Sequence, residues 1–275
     1  MSEMKTKNKI IVHTILIIGA VIMIMPFIWM ALTSVKTLSE SIAIPPIIFS
    51  TNPQWQNFPE ILEKLPFINF YINTLLMIVG RVAFALIFSS MAAYAFARID
   101  FPFRNTLFSI VLVQMMIPSQ IFITPQFLLA QKLGMLDTIS GLILPGLVSA
   151  FGTFLLRQFF MGLPDELEEA AVLDGCNIWQ IFFKIMLPLA RSGLVALGIF
   201  TALFAFKDLM WPLIVNISET KMPLSAGLAT LQGQYATNYP ELMAGSLLAI
   251  WPMLLLFIIF QKRFIEGIAT SGGKL

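Results

Sequence analysis

Six long apolar runs, separated by shorter polar stretches, dominate the pattern of the chain. They lie at about residues 10–33, 70–97, 105–129, 139–160, 188–214 and 242–261. A helix needs roughly 20 residues to cross the hydrocarbon of a bilayer, so each run is long enough to span it. None shows the two-residue alternation of a membrane β-strand. The pattern predicts an all-α polytopic membrane protein with six transmembrane helices in one domain, residues 1–275.

Composition supports the membrane class. Hydrophobic residues make up 58% of the chain and charged residues 12%, against roughly 45–50% and 25% in soluble domains. The only cysteine, Cys176, excludes an intramolecular disulfide and a cysteine-based metal cluster. The chain lacks a Gly-x-x-x-x-Gly-Lys-Ser/Thr loop for cradling phosphates, so any ATP that drives it is expected on another chain.

The distribution of basic residues predicts the orientation. With a cytosolic N-terminus, 11 of the 17 Lys and Arg residues fall in inner segments and four in outer ones, while Arg81 and Lys207 fall within spans. The four outer residues are Lys36, Lys64, Lys132 and Lys221. The positive-inside rule therefore predicts that both termini and the segment 163–188 are cytosolic.

The segment 163–188 combines dense charge with helical order. Between Arg157 and Lys184 it carries no Lys or Arg, and its five acids are Asp165, Glu166, Glu168, Glu169 and Asp174. Pro164 is typical of the first turn of a helix, and Gly175 is typical of the position just after a helix end. Asn177 is typical of the residue that caps the start of a second helix. A basic protein surface is the expected partner of such a segment, and a merely solvated loop is the alternative.

Helical spacing assigns faces within this segment. In the first helix, one face is predicted to hold Leu167, Ala170, Ala171 and Asp174, and its two alanines would let it enter a groove. In the second helix, an apolar stripe is predicted to pack on the membrane bundle, formed by Ile178, Ile181, Phe182 and Ile185.

The same segment resembles the EAA loop of ABC-importer membrane subunits. The shared pattern is Glu169-Ala170-Ala171, then Gly175, and then Ile185-Met186-Leu187-Pro188 after nine residues. The longer sequence from Leu163 to Gly175 is similar to that of the carbohydrate-uptake branch of this family, the maltose-permease G-subunit type. The resemblance implies a coupling helix that docks on an ATPase, with Glu169 at the conserved glutamate. The implied ATPase-coupling residues are Glu168, Glu169, Ala170, Ala171, Asp174 and Gly175.

The resemblance also implies the partners. They are a second permease subunit of different sequence, two ATP-binding subunits, an extracytoplasmic sugar-binding protein and the lipid bilayer, with no nucleic acid. No cofactor is expected in this chain, since ATP and Mg²⁺ belong to the ATPase. The expected location is the bacterial cytoplasmic membrane. The tail 264–275 is similar to the family's glycine-rich tail, which runs into the ATPase dimer interface.

Polar residues within the predicted spans are the candidates for a substrate path, because intramembrane charge is costly and tends to serve function. The candidates are Arg81, Gln114, Gln120, Asp208 and Trp211, with Tyr94 as a further aromatic. The alternatives are that Arg81 pairs within the bundle and that the aromatics only pack. At Phe206-Lys207-Asp208 the chain keeps the family's acid but replaces its usual Trp-Asn pair.

The predicted function is that of a permease subunit, not an enzyme, in an ATP-driven ABC importer of carbohydrate. Two other functions remain open at this point. One is a permease of the same type for a non-sugar solute, and the other is a secondary carrier or channel that works alone. A membrane scaffold without transport is a third alternative, but no feature of the sequence specifically favours it.

Overall fold

The computed structural model describes residues 6–233 and 237–272 and is helical, with one isolated bridge between Gln232 and Thr237. The first helices are α1 (Thr6–Ser34), α2 (Leu38–Ser41), α3 (Asn57–Lys64), α4 (Phe67–Arg98), α5 (Arg104–Met116), α6 (Ile123–Lys132), α7 (Ile139–Ile143) and α8 (Ala150–Met161). The later ones are α9 (Glu166–Leu173), α10 (Ile178–Ile181), α11 (Leu187–Leu189), α12 (Arg191–Lys207), α13 (Met210–Val215), α14 (Leu224–Ala229) and α15 (Tyr239–Gly272). A π-turn covers Phe182–Met186, and 3₁₀ turns cover Ser119–Phe122, Leu144–Gly146 and Glu219–Lys221.

Three of the described helices are long and apolar enough to cross a membrane. They are Lys9–Ser34, Phe67–Arg98 and Tyr239–Ile259. Three further pairs of helices qualify if each bent pair counts as one span, which brings the number to as many as six. This confirms the predicted class, an all-helical polytopic membrane protein.

The other three predicted spans are not single straight helices. The chain bends by 102° between Arg104–Met116 and Ser119–Lys132, by 47° between Ile139–Gly146 and Ala150–Met161, and by 75° between Ile178–Leu189 and Arg191–Lys207. The third pair begins within the segment 163–188 and ends at Lys207, so it does not coincide with the predicted span 188–214, whose last part is the separate helix α13. At the first bend Ile117 is extended and precedes Pro118, as expected for a residue before proline. At the second, Ser149 is extended and caps α8 through the N–H of Gly152. A π-turn and Pro188 precede the third bend.

The described residues divide into two compact units, the first of which comprises Met1–Pro66 and Leu228–Leu254. In this unit the most apolar part of α1 is entirely unburied. The Nδ2 of Asn57 donates to the carbonyl oxygens of Ser34 at 2.8 Å and Lys36 at 3.2 Å. The Nζ of Lys64 lies 2.6 Å from Oε1 of Glu241. These bonds tie the segment after α1 to α3, and α3 to the start of α15.

The second unit comprises Phe67–Gly227 and Leu255–Leu275, and α4 packs against both α8 and α12 in it. One apolar cluster joins these helices to the segment 163–188. It contains Ala93, Tyr94, Leu156, Phe160, Ala171, Ile181, Phe182, Met186, Ala190 and Leu197. A second cluster contains Met77, Ala130, Leu142, Trp211 and Val215. Gly152 lets α8 lie close to its neighbours, because a Cβ there would meet Oγ of Ser89 at 2.7 Å.

The predicted tail 264–275 is not a separate segment where the structure describes it. Helix α15 continues through residue 272, and residues 273–275 lie outside the described residues.

Candidate coupling loop and central cavity

The segment 163–188, called here the coupling loop, begins with the short helix α9. Three acids occupy its first turn, Glu166, Glu168 and Glu169, where the helix dipole favours negative charge. The helix ends at Leu173, and Gly175 follows two residues later with a φ of +79°, in the left-handed region that suits glycine. The N–H of Gly175 donates to Val172 and the N–H of Cys176 donates to Ala171, each at 3.0 Å. This pair of bonds is a Schellman motif, which satisfies carbonyls that the helix end would leave unpaired.

The second helix of the coupling loop starts where the sequence predicted. The Asn177 side chain accepts from the N–H of Gln180 at 2.9 Å, and the Gln180 side chain accepts from the N–H of Asn177 at 2.8 Å. Ile181 and Phe182 are buried in the apolar cluster, as predicted, whereas Ile178 is 46% exposed. The second arm of the hairpin of α9 and α10 is therefore packed on the bundle.

Arg98, the last residue of α4, is the main polar anchor of the coupling loop. Its Nη2 donates to the carbonyl oxygens of Phe160 at 2.7 Å and Leu163 at 2.5 Å, and its Nη1 bonds to Oδ1 of Asp165. Its Nε lies 3.9 Å from Oε1 of Glu168, and neither atom has a hydrogen-bond partner. We call these five residues the Arg98 cluster. Sequence reasoning missed it, because Arg98 was used only to predict orientation.

The predicted shared face of α9 is wrong in one respect. Ala171 is only 5% exposed and packs in the apolar cluster, and Glu168 turns toward Arg98. Ala170 and Glu169 are exposed, as are Asp174 and Gly175. The reason is that α9 packs against the helices of the same chain, and this packing buries Ala171 while Ala170 stays on the exposed surface. The six predicted coupling residues are thus divided between an inward side and an exposed side.

A cavity of about 590 Å³ in the second unit, the central cavity, contains all five predicted path residues in its wall. They are Arg81, Gln114, Gln120, Asp208 and Trp211. Other residues of the wall include Ser119, Gln126, Phe204, Lys207 and Met210. The cavity brings together residues that are far apart in sequence. Those near Gln120 follow the break in the chain at Pro118, and those near Asp208 follow the end of α12 at Lys207. The cavity can offer amides, a hydroxyl and aromatic surface to a polar solute.

Arg81 and Asp208 form an ion pair in the wall of this cavity. The Nη1 of Arg81 lies 2.8 Å from Oδ2 of Asp208, and its Nε donates to the carbonyl oxygen of Leu142 at 2.8 Å. Gly146 packs on the stem of Arg81, since a Cβ at Gly146 would meet its Cγ at 2.4 Å. Arg81 therefore both pairs within the bundle and borders the cavity, two alternatives that the sequence had left open.

Lys207 is exposed at the cavity and has no ion-pair partner in the described part of the chain. Its neighbour Asp208 pairs with Arg81 instead. Lys207 lies in the last turn of α12, where the helix dipole stabilises a cation by about 0.3–1 kcal/mol. The dipole does not neutralise a full charge, so the exposed ammonium group of Lys207 is left to interact with water or with an anion in the cavity.

The two aromatic candidates differ in position. Trp211 is 4% exposed, and its Nε1 donates to the carbonyl oxygen of Gly141 at 2.9 Å, so it mainly positions α13. Tyr94 does not border the cavity and packs between Phe160 and Phe182 instead. Phe204, which no pattern had singled out, is 60% exposed and does border the cavity.

No group of three or more His, Cys, Asp or Glu residues that could hold a metal ion is found among the described residues.

These features define a class of protein, a multi-pass helical membrane protein with a polar cavity and an anchored acidic hairpin. Residues 85–269 match the family "Binding-protein-dependent transport system inner membrane component". The chain belongs to this family, and it is a permease component of an ABC importer in the inner membrane. Such a component works with an ATPase and a binding protein, and the ATPase is a separate subunit.

Several relatives carry assigned transport functions. The chain is 43% identical to an arabinooligosaccharides transport system permease protein of Halalkalibacterium halodurans, over 74% of this chain and 72% of that one. It is 32% identical to a diacetylchitobiose uptake system permease protein of Streptomyces coelicolor, over 94% and 87%. It is 31% identical to an sn-glycerol-3-phosphate transport system permease protein of Pectobacterium atrosepticum, over 94% and 95%.

The fold has a solved counterpart. A chain in the crystal structure of a bacterial ABC transporter that imports the acidic polysaccharide alginate superposes with a TM-score of 0.78. The match covers 96% of this chain and 100% of the other, at 24% identity. At that identity the likeness concerns the fold alone.

Proposed function

We propose that this permease translocates a carbohydrate across the cytoplasmic membrane. The support comes from two relatives named for oligosaccharide uptake and from the central cavity. The amides of Gln114, Gln120 and Gln126 can hydrogen-bond sugar hydroxyls, and the exposed ring of Phe204 can stack on a sugar face. A non-sugar solute is the second candidate, favoured by the relative named for sn-glycerol-3-phosphate.

The coupling loop is proposed to receive the motion of the ATPase. Glu169, Ala170 and Leu173 form an exposed surface on α9, and Leu173 is 88% exposed. Glu169 is the residue that would meet a basic group of the ATPase. The observation that carries this proposal is the Arg98 cluster, because it joins the loop directly to the end of α4. A displacement of α9 would then move α4, which borders the central cavity through Arg81.

The complete importer is proposed to contain this chain, a second permease subunit of different sequence, two ATP-binding subunits and an extracytoplasmic sugar-binding protein. Both termini and the coupling loop are proposed to be cytosolic, on the basis of the excess of Lys and Arg in the inner segments. Closure of the ATPase pair would rock the helices and change the side to which the cavity opens.

Replacement of Glu169 tests the coupling. In the assembled importer, Glu169→Gln is expected to reduce uptake at least tenfold while the ATPase subunits remain bound. Uptake of radiolabelled sugar into proteoliposomes and ATP hydrolysis are measured together. Glu63→Gln, an exposed acid on α3, is the matched control and should leave both unchanged. Normal uptake by Glu169→Gln would show that Glu169 has no coupling role.

A second experiment tests the orientation. On a Cys176→Ser background, Leu173→Cys places one thiol on the exposed side of α9. A membrane-impermeant maleimide should label it in inside-out vesicles and not in intact right-side-out vesicles. Labelling only from the outer side would refute the proposed orientation and, with it, the ATPase contact.

A further inference from the structure

The charges around the central cavity do not balance. Three ionisable side chains lie in its wall, Arg81, Lys207 and Asp208. Arg81 and Asp208 neutralise each other at 2.8 Å, which leaves the ammonium group of Lys207 as an uncompensated positive charge. The other polar groups of the wall are neutral amides and hydroxyls.

Two ordinary explanations for Lys207 are insufficient. Asp208 is adjacent in sequence, but it is the extended residue that follows α12, and its carboxylate is already engaged by Arg81 at 2.8 Å. The C-terminal dipole of α12 favours a cation, but it acts weakly and only within the last turn.

We propose that the central cavity selects a saccharide that carries an anionic group, a carboxylate or a phosphate, and that Lys207 is the residue that recognises this group. This inference rests on the proposed function. An ammonium group binds either anion as a point charge, and the amides of Gln114 and Gln120 meet the hydroxyls of the same solute. Arg81 supports the site because its guanidinium group engages the carboxylate of Asp208.

The first test is the ligand of the cognate binding protein. Calorimetric titration compares three sets of probes, which are neutral oligosaccharides, the corresponding uronate-containing oligosaccharides, and sugar phosphates. Binding of a uronate or a sugar phosphate, at least tenfold tighter than the neutral analogue, is expected, and the preferred set identifies the anion. Preference for the neutral analogue would overturn the inference.

The second test measures uptake of the preferred anionic probe by the complete importer in proteoliposomes. Lys207→Arg should retain uptake within about threefold, and Lys207→Gln should raise the KM for the loaded binding protein or lower uptake at least tenfold. Lys132→Gln is the matched control, because Lys132 also lies in the last turn of a helix but away from the cavity. Stimulation of ATP hydrolysis by the unloaded binding protein should be the same in all variants.

The outcomes separate the two proposals. If Lys207→Gln imports the anionic probe as well as the parent chain does, the role of Lys207 is refuted while the importer function stands. If the parent importer takes up no saccharide of any set in the presence of ATP, the proposed carbohydrate function fails together with this inference.

Discussion

Replacing Arg98 by methionine should loosen the coupling loop without unfolding the bundle. Methionine keeps most of the apolar stem, so the change removes the guanidinium and little packing. The lost interactions are the bonds to the carbonyl oxygens of Phe160 and Leu163, the pair with Asp165, and the charge beside Glu168.

The free energy lost in Arg98→Met can be worked out from the burial of each interacting group. The side chain of Arg98 is 9% exposed, so its two bonds to backbone carbonyls contribute about 1.5 kcal/mol each, the low end for charged donors. Asp165 is 79% exposed, so its ion pair adds only about 0.5 kcal/mol. The sum is about 3.5 kcal/mol, which corresponds to a rise of roughly 300-fold in the opening equilibrium of the loop.

Hydrogen exchange of the complete importer measures this opening directly. Amides of residues 163–176 should exchange roughly 300-fold faster in Arg98→Met, whereas those of α12 should be unchanged. Arg104→Gln is the matched control, because Arg104 pairs with Asp100, which is 96% exposed. Such an exposed pair contributes at most about 1 kcal/mol, so the control should exchange nearly like the parent chain.

Transport should change in parallel with exchange. If Arg98 carries motion from α9 to α4, Arg98→Met should lower uptake per ATP hydrolysed, and Arg98→Lys should restore it in part. Faster exchange with unchanged coupling would show that the Arg98 cluster only holds the loop in place. Unchanged exchange in residues 163–176 would refute the energetic reasoning itself.

Three further predictions concern the loops and the cavity. The pKa of Glu40 is lowered to about 2, because its carboxylate accepts hydrogen bonds from the Ser50 hydroxyl, from the N–H groups of Thr37 and Thr51 and from the Thr51 hydroxyl. The contribution of Glu40 to stability is therefore fully present above a pH of about 4.3 and is lost as the pH falls through about 2. Hydrogen exchange of residues 37–51 should follow that window, and Glu40→Gln should abolish the acid step. In Gly175→Ala the added Cβ would have no atom within 4 Å, but the alanine must adopt a left-handed backbone conformation. Thermal unfolding should therefore show a loss of about 1–2 kcal/mol in the free energy of unfolding. Asp208→Asn leaves Arg81 without its counter-ion and should lower the free energy of unfolding by about 3 kcal/mol. Adding Arg81→Met to this variant should largely restore the stability. If the double variant is no more stable than Asp208→Asn alone, the broken ion pair is not the cause of the loss.

Local patterns in the sequence were sufficient for the elements of the coupling loop. The stop at Gly175 and the cap at Asn177 depend on backbone conformation and nearest hydrogen bonds, which the neighbouring residues determine. Hydropathy likewise predicted the helical membrane class, because the cost of unpaired backbone groups in lipid restricts such runs to helices. The bends at residues 117–118 and 147–149 lay within these runs, where apolar composition conceals them.

Which polar groups meet was decided only by the tertiary structure. Arg98 lies 67 residues from Asp165, and Arg81 lies far from Asp208 in the chain, so neither pair has a spacing that a local pattern could reveal. The two alanines of α9 were assigned to one face by periodicity, yet packing on the bundle buries Ala171 and leaves Ala170 exposed. The sequence by itself therefore determined the class of protein and the position of the coupling loop, because these follow from local hydropathy and capping. The partners of its charges depended on how α4, α8 and α12 pack.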